Sequence, residues 1–242
     1  MFTKKFVANM LPQFFFLILA ASISPNSASG EFDKESIELA RQLSNEKIPR
    51  PEVQSFDASV DLAQRVHFRI FKVVKNICQQ ESVNRQDCRW NIKVRRDAGF
   101  YANASSSNQI IISSGLIDQI TYEDELAFVV AHEVAHYLLG HARKNIDTIF
   151  IGAILGDLFL DNLASGILIA SIIDKAGSRK FESNADAVAL KIIRHAGYDI
   201  KKARYVLLRM AKMEKRIISR FMQSHPSGFE RILSFDQLAE EI

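Results

Sequence analysis

Residues 121–141 read TYEDELAFVVAHEVAHYLLGH, and this stretch decides the fold. Thr121 and Asp124 are spaced as a capping box, and the apolar residues Leu126, Val129, Val130, Val134 and Leu138 follow at helical intervals until Gly140 weakens the end. Inside this helix, His132, Glu133 and His136 spell H-E-x-x-H. Four residues apart on a helix, the two imidazoles share one face and can converge on a single zinc ion. Glu133, offset by about 100° from His132, leans toward the same ion as a general base that takes a proton from water at the metal.

A hydrolytic zinc site needs a third protein ligand and an open position. A third histidine in the metzincin register would fall at residue 142, which is Ala142, and the glycine expected before it would fall at Leu139. A carboxylate from a later helix is the remaining option. Glu182 and Asp186, one helical turn apart in the run FESNAD (181–186), supply it: Glu182 as ligand, and Asp186 as acceptor of the distal N–H of a ligating histidine.

Outward from this centre, Leu62, Ala63, Val66, Ile70, Val73, Val74 and Ile77 predict a helix over 59–77, capped by Asp57 or Ser59. Strands are predicted at 92–96 and 109–113, with Gly115 ending the second, and helices at about 180–196, 200–217 and 226–240. The fold class is therefore α+β and mainly helical, with a small sheet. The apolar stretch 148–173 is broken by Asp157 and Asp161, and reads as core helices or as a lid or membrane-contacting hairpin hinged at Gly152, Gly156 and Gly166.

The first 28 residues have a basic start (Lys4, Lys5), an apolar run from Leu11 to Ile23 and small polar residues, as a secretory signal peptide does, with cleavage expected after Ala28. Residues 29–242 are then expected to form one exported catalytic domain. Cys78 and Cys88, ten positions apart behind an export signal, are expected to form a disulfide. The formal charge of +3 includes Lys4 and Lys5, so the remainder is nearly neutral, which excludes nucleic acid as the expected partner.

The chain resembles the M48 family of gluzincin metallopeptidases. The resemblance rests on HEVAHYLLGH, on ESNAD at 182–186, on Asn103-Ala104 followed by an Ile-rich strand and Gly115-Leu116, and on His225-Pro226 with Arg231 downstream. It implies one zinc ion held by His132, His136 and Glu182, with Glu133 as base, in a periplasmic, single-domain relative of the bacterial quality-control proteases. The sequence carries neither the C-terminal helical repeats of the larger relatives nor the several long apolar spans of the membrane branch. Polypeptide substrates are expected to lie extended along Asn103, Ala104 and an edge strand near Ile110. His225 is expected close to the metal, as a regulatory fourth ligand or as an oxyanion donor. The rival reading is a non-proteolytic chaperone or binding module with a structural zinc, which a base beside an open position argues against.

Overall fold

The computed structural model describes residues 38, 42–43, 45–80, 90–105, 108–139, 178–214 and 229–242. The order of elements is α1 (Phe56–Gln80), β1 (Asn91–Arg95), β2 (Ala102–Ala104), β3 (Gln109–Ser113), α2 (Ser114–Ile117), α3 (Glu123–Leu138), α4 (Ser178–His195), α5 (Ile200–Ala203), α6 (Tyr205–Glu214) and α7 (Phe229–Glu241). The mainly helical α+β class expected from the sequence is the one observed. Among the described residues, no helix is long and apolar enough to cross a membrane.

Helix α3 is the axis of the molecule. Every residue from Glu125 to Ala135 is buried, so it is a helix enclosed on all sides. Helices α1, α4, α5 and α6 and strand β2 all pack against it. Helix α1 is amphipathic by comparison and buries Leu62, Ala63, Val66, Ile70 and Val74 along one stripe.

The start of α3 differs from the expectation. The helix begins at Glu123, and the carboxylate that receives the backbone N–H groups of Thr121 (2.8 Å) and Tyr122 (3.2 Å) belongs to Glu125. Asp124 instead accepts the N–H of Asp199 at 2.7 Å, joining the start of α3 to the cap of α5. The reason is a buried partner: Arg209 of α6 pairs with Glu125 at 2.7 Å and also donates to Thr121 Oγ1 at 2.7 Å and to the Pro49 carbonyl at 2.9 Å. A carboxylate that caps a helix and is neutralised by arginine can be enclosed; an unpaired one cannot.

The three strands form one sheet in the order β1-β3-β2, with β1 parallel and β2 antiparallel to β3. Ile110 lies opposite Ile92 on one side and Ala104 on the other, so β3 is the central strand. The expected edge strand near Ile110 is therefore corrected: the edge beside α3 is β2, whose Ala-Asn-Ala sequence has no β-branched residue to announce it. Asn108, at φ 57°, turns the chain into β3 in the left-handed conformation that asparagine tolerates. Its carbonyl accepts the Asn91 N–H (2.9 Å) and its side-chain oxygen accepts the Tyr137 hydroxyl (2.8 Å), tying the sheet to the last turn of α3. After β3, a Cβ on Gly115 would fall 2.2 Å from the Ala98 carbonyl oxygen, so only glycine permits this crossing.

Removing the arginine while keeping the buried acid tests what fixes α3. Arg209→Ala is expected to lower unfolding stability by about 3–5 kcal/mol in urea titrations, because Glu125 is left charged and enclosed. A loss below about 1 kcal/mol would mean that Glu125 is satisfied by its caps alone.

Candidate metal centre

Three helices meet at one point inside the fold. Helix α3 brings His132, Glu133 and His136, α4 brings Glu182 and Asp186, and α7 brings Arg231. Glu182 faces both imidazoles: its Oε2 lies 3.2 Å from His132 Nε2 and its Oε1 lies 3.2 Å from His136 Nε2. The two Nε2 atoms are 2.9 Å apart, and one ligand atom from each of the three residues falls within 4.8 Å of the others. A tetrahedral zinc site with bonds of about 2.05 Å has donor separations of about 3.3 Å, so this donor set fits a zinc ion.

The electrostatics are those of a site that holds a cation. Burial and the charge of Arg231 push the His132 pKa down, but hydrogen bonds to Asp186 and Glu182 and the charge of Asp186 outweigh them and raise it to about 9. Burial works to raise the Asp186 pKa, and Arg231 and His132 together bring it below its ordinary value. Asp186 Oδ1 sits 2.9 Å from His132 Nδ1, which fixes the ring with Nε2 toward Glu182.

Arg231 had a place in the sequence only as part of a motif, with no role assigned. It binds Asp186 through Nε and Nη2, both at 2.6 Å, and its Nη1 lies 3.1 Å from Glu182 Oε2. Two buried carboxylates a helical turn apart repel each other, and this fork offsets that repulsion. No local pattern announces such a residue, since its acidic partner stands 45 positions away.

Glu133 is buried and stands beside the donors, and its Oε2 accepts the backbone N–H of Ala104 at 2.8 Å. Ser105 donates to Gln109 and Ser113 donates to Tyr101, so the odd-numbered residues of this segment face β3. Ala102 and Ala104 consequently turn their backbone groups outward, along the open edge beside Glu133. Asn103 is exposed and Ala104 half-buried. A hollow next to Glu133 is lined by Trp90, Ala104, Ile110, Val134 and Tyr137 among others, and Glu133 is the only charged group among the described residues that line it. Of the other sequence-derived sites, His225, the Cys78–Cys88 pairing, the stretch 148–173 and the leader 1–28 lie outside the described residues.

Comparison with known proteins agrees with this geometry. "Metalloprotease LoiP" of Escherichia coli is 26% identical over 161 residues, covering 62% of this chain and 62% of that protein. "Mitochondrial metalloendopeptidase OMA1" of Schizosaccharomyces pombe is 24% identical over 226 residues, 90% of this chain and 66% of the relative. A "Putative beta-barrel assembly-enhancing protease" of Vibrio cholerae is 29% identical over 164 residues, 60% of this chain and 34% of the relative. The chain thus spans between about a third and two thirds of the length of these relatives. The sequence model of peptidase family M48 matches residues 64–239, which take in α3, α4 and all but the last two residues of α7. With the donor triangle of His132, His136 and Glu182 inside that span, the chain belongs to peptidase family M48.

Proposed function

We propose that the protein is a zinc-dependent metalloendopeptidase that hydrolyses polypeptides in the bacterial periplasm, misfolded or misassembled exported proteins among them. The observation that carries the reading is the donor triangle with Glu133 on the same helix face, next to an extended backbone edge. Zinc at this site would be held by His132, His136 and Glu182, and supplies Lewis acidity to the scissile carbonyl and to water. Glu133 takes the proton from the attacking water and passes it to the leaving amine. The Ala104 N–H orients the Glu133 carboxylate for both transfers. Asp186 and Arg231 hold His132 and Glu182 in place. The substrate backbone lies along the outer edge of β2, past Glu133.

The leader-like first 28 residues, and the name of the Vibrio cholerae relative, a putative beta-barrel assembly-enhancing protease, support an envelope location and a part in the quality control of exported proteins. A purely structural zinc is the weaker reading. Structural sites close with four protein ligands and need no buried carboxylate poised alongside.

Base and ligand separate by mutation. Glu133→Gln is expected to abolish chelator-sensitive casein cleavage while keeping about one zinc per chain, and His136→Ala to lose metal and activity together. Asp186→Ala should cost about 10- to 100-fold in zinc affinity or rate. Full activity in the Gln variant would overturn the mechanism.

The raised His132 pKa gives a second check. Because the folded value of about 9 lies above the ordinary 6.5, its contribution to stability is complete below pH 6.5 and is lost as pH rises through about 9. Metal-free protein should therefore lose melting temperature between pH 6.5 and 9, and saturating zinc should flatten that dependence. Equal slopes with and without zinc would separate His132 from the metal.

A further inference from the structure

Of the three candidate ligands, Glu182 alone offers two oxygen donors, and its carboxylate straddles the imidazoles. Oε1 lies 3.2 Å from His136 Nε2, and Oε2 lies 3.2 Å from His132 Nε2. That placement allows two kinds of centre. Held by both oxygens and two imidazoles, a metal already has four protein donors, and a tetrahedral site is closed. Held by one oxygen, it keeps a fourth position for water, as hydrolysis requires.

Arg231 stands where it can decide between them. Its fork to Asp186 uses Nε and Nη2, each at 2.6 Å, and this leaves Nη1 as the far corner of a planar guanidinium that Asp186 holds fixed. Nη1 lies 3.1 Å from Glu182 Oε2. It is buried, yet it has no aligned hydrogen-bond acceptor, so its contact with Glu182 is one of charge without hydrogen-bond direction. Buried donors are almost always satisfied, and the acceptor nearest in place and charge is the oxygen of a metal ligand. Neutralising two buried carboxylates would explain a cation here, and a lysine would serve for that. It does not explain a third guanidinium nitrogen left over beside Glu182.

We propose that Arg231 is a positioning residue that engages Glu182 Oε2 through Nη1, confines Glu182 to a single-oxygen ligand bound through Oε1, and so keeps one position of the metal open. This inference rests on the zinc-site reading above. Asp186 fixes the guanidinium, the guanidinium fixes how many oxygens Glu182 gives the metal, and the open position follows.

Two measurements test it. A crystal structure of the zinc-loaded parent chain is expected to show Oε1 alone on the metal and Oε2 at about 3 Å from Nη1. Both oxygens on the metal, or Oε2 as the bound atom, would overturn the proposal, and this result does not depend on any variant folding. The second measurement loads cobalt(II) in place of zinc and titrates in azide, which shifts the visible bands when it occupies the open position. Arg231→Lys keeps the positive charge but lacks the third corner of the guanidinium. At equal cobalt content its azide affinity is expected to fall about 10- to 100-fold relative to parent, the range typical of lost contacts to a ligand residue. A variant that only melts at lower temperature, with azide affinity unchanged, would make Arg231 purely structural and overturn the proposal. Parent protein that takes up neither zinc nor cobalt would overturn the zinc-site reading itself, and the proposal with it.

Discussion

The structure depends on one constraint: the charges of His132, Glu182, Asp186 and Arg231 are buried together, and none is tolerable there alone. An enclosed carboxylate or guanidinium costs several kcal/mol unless it is paired and hydrogen-bonded. Asp186 meets this by lying between His132 and the Arg231 fork. Glu182 meets it by facing both imidazoles. Because the partners come from α3, α4 and α7, those helices cannot shift independently without exposing or orphaning a charge. The site and the packing of the helices are thus one arrangement.

The same logic operates at the other end of α3. Glu125 and Arg209 form a second enclosed pair, anchored to the backbone at Thr121, Tyr122 and Pro49. A helix pinned by buried ion pairs near both ends, and by Tyr137 to the tip of the sheet, has its histidines fixed in register. For chemistry at a metal this matters more than net stability, since ligands must be held in place before the ion arrives. Arg231 also sets the charge of the site, because its guanidinium offsets one of the two buried carboxylates.

What could be read in the sequence follows from the range of each interaction. His132, Glu133 and His136, and likewise Glu182 and Asp186, act within one helical turn, so spacing alone revealed which residues would share a face. Apolar periodicity announces the helix expected over 59–77 and found over 56–80, and an isoleucine run announces the strand at 109–113; the helix expected at about 180–196 is found over 178–195. The hidden features depend on distant partners. Glu125 displaced Asp124 as the capping acid because Arg209 neutralises it from 84 residues away. Strand β2 has three small or polar residues and owes its conformation to β3 and Glu133, so Ile110 was mistaken for an edge position. Arg231 is one arginine among the charges of a terminal helix until Asp186 is folded against it.

The central claim is that the fold builds an open zinc centre from two imidazoles and one carboxylate. X-ray absorption at the zinc edge, on protein loaded with one equivalent of zinc, tests it most directly. The account predicts nitrogen and oxygen neighbours only, at about 2.0–2.2 Å, with the scattering of two histidine rings and a light-atom position that an added hydroxamate replaces. Sulfur at about 2.3 Å, or a shell of four protein ligands that hydroxamate leaves unchanged, would contradict it.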